Sequence, residues 1–223
     1  MSEVKNFNIA TNITISDLFI KLDTYLIEDI KAILNARHED DSGVGYPCLI
    51  TILAGMELLG FLLSGDKNCA FTFCWNELAK SNNKYKSDPL RKVFRQTIRN
   101  GIAHNYLAKS GVYVHYSSPE KHLLLVRDNG VNGLCISCEQ FFNDFLVIYE
   151  DIKKYLIQNP EKAYLNELVK DLRSGQKHVD KYLNSLCFKS IDSGKVLTKK
   201  DLYGASGFGM EDGDTMDSRY ISA

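Results

Sequence analysis

Apolar residues recur at helical spacing over most of the chain. Leu18, Phe19, Leu22, Leu26, Ile30, Ile33 and Leu34 follow a 3.6-residue period that predicts a first helix starting at Ser16 or Asp17. The loop HEDDSGVG (38–45) follows. A nearly unbroken apolar run predicts a second helix over about 48–64, and a shorter helix is expected over about 71–81. Asp88 followed by Pro89 is an N-cap and first-turn pair, predicting a helix from there to about His104. The period then drops to two: Val112, Val114 and Tyr116 alternate with Tyr113 and His115. Residues 122–127 (HLLLVR) and 134–136 read as two further strands, so a small β-meander over about 111–136 is expected inside a helical protein. Ser137 and Gln140 have capping-box spacing before a helix whose apolar face is Phe141, Phe142, Phe145, Ile148, Tyr149, Ile152 and Leu156. Asn159-Pro160 opens a last stretch in which Leu165, Leu172, Val179 and Leu186 fall seven apart, a seam suited to another helix. From about 190 the sequence is rich in Gly, Ser and Asp and reads as a flexible tail, leaving 1–189 as the domain.

The membrane and the cysteines need separate treatment. Residues 48–65 reach spanning length, but Glu57 at the centre would cost about 2.5–3.5 kcal/mol in a bilayer, so a buried core helix is expected. The start, MSEVKNFNIATNIT, has no basic-then-apolar leader pattern, so the six cysteines read as reduced thiols of a cytoplasmic protein. Cys135-x-x-Cys138 is a single pair where structural zinc needs four ligands. His115, His122 and Cys187 add no paired spacing, and neither a metal nor a cofactor is expected. Trp75, Phe71 and Phe73 read as core rather than as a base-stacking platform. The glycines at 204, 207 and 209 neither follow a strand nor open a helix, which excludes a phosphate loop.

Composition is ordinary, with net charge −1, which argues against coating nucleic acid by bulk charge. The distribution is not ordinary. Residues 80–109 hold Lys80, Lys84, Lys86, Arg91, Lys92, Arg95, Arg99 and Lys109 against Asp88 alone, a net of +7 that leaves −8 for the remainder. Such a block suits an anionic backbone, although a solvated helix face would also carry it. At 100° per residue, Leu90, Val93, Phe94, Ile98 and Ile102 face inward, while Lys92, Arg95, Gln96, Arg99 and Asn100 share the exposed arc. His104 falls about 140° from Arg99 with Asn100 between them, so both side chains reach a phosphate held above Asn100.

The string Arg99-Asn100-Gly101-Ile102-Ala103-His104 resembles the Arg-x4–6-His motif of HEPN domains. In that family a polar residue often follows the Arg, and Asn100 fits. Tyr106 extends the resemblance to the Arg-x4-His-x-Tyr form of HEPN toxins that pair with nucleotidyltransferase antitoxins. The resemblance covers about residues 16–187. It implies an all-α HEPN-like bundle, here with a β insertion, acting as a metal-independent endoribonuclease in a toxin or antiviral-defence setting. It also implies a homodimer and a possible antitoxin or regulatory protein. Arg99, His104, Asn100 and Tyr106 would form the catalytic set, with Lys92, Arg95, Gln96 and Lys109 holding RNA. The residue types suit the chemistry: His works near pH 7 and Arg offers a fixed fork of donors to an anionic phosphorane. Glu57 is a candidate for orienting Arg99 from a neighbouring helix, since a carboxylate in an apolar helix needs a partner. The alternative reading is a non-catalytic HEPN-like module that binds RNA, nucleotide or a protein partner.

Overall fold

The computed structural model describes residues 13–36, 45–105, 111–128 and 131–174, with only the backbone described for 103–105, 128 and 131. The expected tail and the seam positions Val179 and Leu186 lie outside these residues. The described residues up to Arg173 belong to one compact unit that is mostly helical with a three-stranded sheet.

Helix α1 (Ile15–Leu22) begins one residue earlier than expected because Thr14 caps it. The Thr14 hydroxyl accepts from the Asp17 N–H, and the Asp17 carboxylate accepts from the Thr14 N–H, each at 3.1 Å. A π-helical turn (Asp23–Ile27) joins α1 to α2 (Glu28–Asn35). Helix α3 (Gly45–Ser64) is the apolar run, and α4 (Ala70–Ser81) follows. Helix α3 is long and apolar enough to cross a membrane by composition. Here it buries ten residues, Leu49, Ile52, Leu53 and Met56 among them, against α2, α4 and α7 (Cys138–Gln158). That is the packing of a core helix.

The next helix is continuous but not uniform. It runs as α5 (Asp88–Lys92), a π-helical segment (Val93–Arg99) and α6 (Asn100–Asn105). Ser87, not Asp88, is its N-cap residue. Asp88 sits one position inside, where its carboxylate accepts from Arg91 at 2.5 Å and pairs with Lys92 at 3.2 Å. In the π segment the Asn100 N–H bonds back five residues to the Arg95 carbonyl, so the uniform 100° wheel does not hold across Val93–Arg99.

The sheet is not a meander. Its order is β1 (Val112–His115), β3 (Val131–Ser137), β2 (Leu125–Asp128), with β1 parallel and β2 antiparallel to β3. Alternation marks strands but not their partners. The β1–β2 connection contains a 3-10 turn at Pro119–Lys121 and Leu123 at φ 62°, and it lets β3 enter between the first two strands. His122, expected to open the second strand, instead sits in this connection and is buried.

Aromatic packing joins the layers: Trp75 lies 5.0 Å from Phe94, which lies 5.0 Å from Phe141 between ring centres. Trp75 and Phe71 are core, as expected, while Phe73 is exposed. The Trp75 indole N–H donates to the Tyr85 carbonyl at 3.0 Å. Beside this cluster the Ser137 N–H donates to His122 Nδ1 at 3.2 Å, and His122 Nε2 lies 2.7 Å from the Tyr85 hydroxyl, which donates to Asp144 at 2.7 Å. An amide donating to Nδ1 requires a lone pair there, so His122 is neutral with its proton on Nε2. Ser137 also caps α7 through the Gln140 N–H, but the Gln140 side chain turns to Asp144, so only half of the expected box forms.

Burial holds the His122 pKa down at about 4, against an opposing pull from Asp144. The unfolded chain therefore gains a proton near pH 6.5 that the folded chain refuses until near pH 4. Stability is fully present above pH 6.5 and is lost as pH falls through that window, by about 3 kcal/mol in all. Denaturant titrations at pH 7 and pH 4.5 are expected to show this loss in the wild type and a clearly smaller one in His122→Gln. Equal losses in both would remove His122 as the cause.

Candidate functional site

The motif helix meets α3 at Arg99. The Arg99 guanidinium grips Glu57 side-on, Nε to Oε1 at 3.0 Å and Nη2 to Oε2 at 3.0 Å. Its Nη1 donates to Asn100 Oδ1 at 3.1 Å. Two residues that sequence reading paired across helices are thus in bidentate contact, and Asn100 completes the hold. The pair is only partly buried, the two side chains being 35% and 33% exposed, so it stands at the margin of a groove and not inside the core. A guanidinium carries five N–H donors; Nη2 donates to Glu57 and Nη1 to Asn100, which leaves donors for a further acceptor.

The groove has a volume of about 590 Å³. Its polar lining is Glu57, Arg99, Asn100, Arg95, Lys67, Asn68 and Asp171, and its apolar floor includes Phe61 and Leu168. Arg95 comes from the π segment one turn before Arg99, and its Nη2 donates to the Asn68 carbonyl at 3.3 Å. Lys67 and Asn68 lie on the connection between α3 and α4, and Lys67 pairs with Asp171. Neither had a signal in the sequence, because both stand outside the basic block and are brought to Arg95 only by the turn at Gly65.

The remaining candidates separate. Lys92 is committed to Asp88, and Gln96 is exposed; neither lines the groove. His104 is carried by the backbone of α6, five residues after Arg99. Tyr106 and Lys109 lie outside the described residues. The basic block is also less basic in three dimensions than in one. Lys80 pairs with Glu77, Arg91 and Lys92 with Asp88, and Arg99 with Glu57. Two of those three acids come from outside the block.

Cys135 and Cys138 are both buried. Cys138 Sγ lies 3.5 Å from the Gly45 carbonyl, and a hydrogen bond with Cys48, together with burial, pushes its thiol pKa up. Among the described residues no three His, Cys, Asp or Glu side chains gather as metal ligands. The chain matches no family model, no curated protein and no solved structure.

Proposed function

We propose that this groove binds and cuts RNA without a metal, in the manner of the HEPN ribonucleases that the Arg99–His104 motif resembles. The observation that carries the reading is the doubly held Arg99 at the mouth of a groove that also contains Arg95, Lys67, Asn68 and Asn100. A guanidinium locked by a carboxylate is pre-oriented, and its other N–H donors suit a phosphate whose charge grows in the transition state. The nucleophile is the 2′-hydroxyl of the RNA. It loses its proton as it bonds to phosphorus, the P–O5′ bond breaks, and O5′ leaves with a proton. The products are a 2′,3′-cyclic phosphate and a 5′-hydroxyl. His104, with a reference pKa near 6.5, is the group for one of those proton transfers. One imidazole does not serve both at once, so the reading includes a second copy of the chain whose motif faces the same groove.

A second reading has its own observation. The Arg99–Glu57 pair ties the motif helix to α3 and neutralises half of itself, as a purely structural bridge in a binding module would. Labelled RNA incubated with the full chain in EDTA separates the two. Cleavage to cyclic-phosphate ends, with DNA left uncut because it lacks the 2′-hydroxyl, is the expected result. No RNA cleavage, or cleavage that EDTA abolishes, would reject the ribonuclease mechanism. Light scattering is expected to show a dimer at micromolar concentration; a monomer that still cuts would remove the two-copy arrangement.

A further inference from the structure

The groove is lined by an ion pair, Lys67 with Asp171, that the proposed chemistry does not use. Helix α8 (165–174) returns to the α3–α4 connection and walls the groove with Leu168, Asp171 and Leu172. Its first turn is anchored. The Tyr164 N–H donates to the Leu62 carbonyl at 2.9 Å, and Leu168 is 5% exposed. The Tyr164 ring lies over Gly65, whose φ is +68° and where a Cβ would sit 2.7 Å from ring carbon Cε1. One turn further on, the anchoring is different in kind. Asp171 reaches Lys67 through an ion pair in which the side chains are 39% and 64% exposed, and Leu172 is itself exposed. The helix is therefore apolar and tight at its start and electrostatic and solvent-screened at Asp171.

The Arg95 guanidinium touches the carbonyl of Asn68, the residue next to Lys67, and both cations line the groove. No carboxylate pairs with Arg95 among the described salt bridges, in contrast to Arg91 and Arg99. A phosphate between an ammonium and a guanidinium is the anion such a pair suits, the first as a point charge and the second as a fork. Asp171 places a carboxylate on the ammonium that this phosphate would need.

We propose that Lys67 and Arg95 form a second phosphate subsite of the groove, and that Asp171 is its built-in competitor, displaced when a single RNA strand enters. This rests on the reading of the groove as an RNA site. It extends the ligand to a strand with at least two engaged phosphates, one at Arg99 and one at Lys67 and Arg95. It also makes the position of Asp171 a brake on affinity. An exposed pair is weak enough for a phosphate to replace it, which a buried one would not be.

The test is binding of a fluorescent single-stranded 2′-O-methyl RNA, which lacks the attacking hydroxyl, to the full chain across a salt series. Asp171→Asn is expected to bind about three- to five-fold tighter, the scale of one exposed ion pair. Its salt slope should equal the wild type's, because the Lys67–phosphate contact forms in both complexes once Asp171 has moved aside. Asp151→Asn, an exposed acid away from this groove, controls for the change in net charge. In a Lys67→Ala background Asp171→Asn is expected to gain nothing. A gain no larger than that of Asp151→Asn, or one that survives Lys67→Ala, overturns the brake. If Arg99→Ala and Arg95→Ala weaken binding while Asp171→Asn leaves it unchanged, the brake alone fails. If all three bind RNA as the wild type does, the groove is not the RNA site and both readings fall.

Discussion

His104→Ala is expected to lower RNA cleavage by about 10²- to 10⁴-fold, the usual contribution of a positioned acid or base, while RNA affinity stays within about two-fold. A neutral imidazole adds little to phosphate binding, so its loss should fall on the rate. Arg99→Ala is expected to reduce both, because it removes a phosphate contact and the donors that meet the developing charge, at about 10²- to 10³-fold in rate. Arg99→Lys is the sharper variant. It keeps the charge but loses the side-on grip on Glu57 and the bond to Asn100, so rate should fall much more than affinity. Single-turnover cleavage beside filter binding reads the two effects separately. An RNA with one 2′-deoxy nucleotide at the cut should bind normally and survive. Wild-type cleavage by His104→Ala would show that the site has been assigned to the wrong residue.

Gly60→Ala is expected to be the most damaging single-methyl change in the fold, although a helix interior ordinarily gains about 1 kcal/mol from that substitution. Gly60 is buried in α3 where α4 begins. A Cβ there would lie 2.5 Å from the carbonyl carbon of Ala70 and 3.1 Å from its Cα, with the carbonyl oxygen nearer still. The obstacle is backbone, so no rotamer relieves it and the two helices must part. Overpacking of this kind costs about 1–3 kcal/mol and occasionally more; a net loss of about 2–3 kcal/mol outweighs the propensity gain. At about 2–4 °C per kcal/mol for a chain of this size, Tm should fall by roughly 5–10 °C. Gly55→Ala is the control, since its new methyl would meet the flexible ends of Leu26 and the edge of Phe145 at 2.9–3.0 Å. Its Tm is expected to fall less. Equal Tm values for Gly60→Ala and wild type would mean α3 and α4 tolerate separation.

Long periodic elements were legible in the sequence to within a few residues. The apolar faces of α1, α3 and α7 are local patterns, and a helix with one apolar face has a single way to bury it. The candidate pairing of Glu57 with Arg99 was legible too, because a carboxylate in an apolar helix demands a partner and the motif helix carries a cation to meet it. What failed depended on geometry that residues do not announce. Lys92 and Gln96 are exposed, as the helical wheel placed them, but the groove opens beside Arg95, Arg99 and Asn100 and not beside them. The sheet order departed from a meander because strand alternation carries no information about partners.

By itself the sequence determined the helical class, the core faces and the place of the motif at the end of a basic helix, since these follow from spacing along one chain. Only the tertiary structure decided which charges remain available. Glu57 and Glu77 take two cations of the block, Asp171 takes Lys67, and Arg95 lies against a backbone carbonyl. It likewise decided that Lys67 and Asn68 join the groove and that His122 becomes a neutral, buried partner of Tyr85 and Asp144. Electrostatic and hydrogen-bond partners are chosen by distances of a few ångströms between segments far apart in the chain, and those distances exist only once the core has packed.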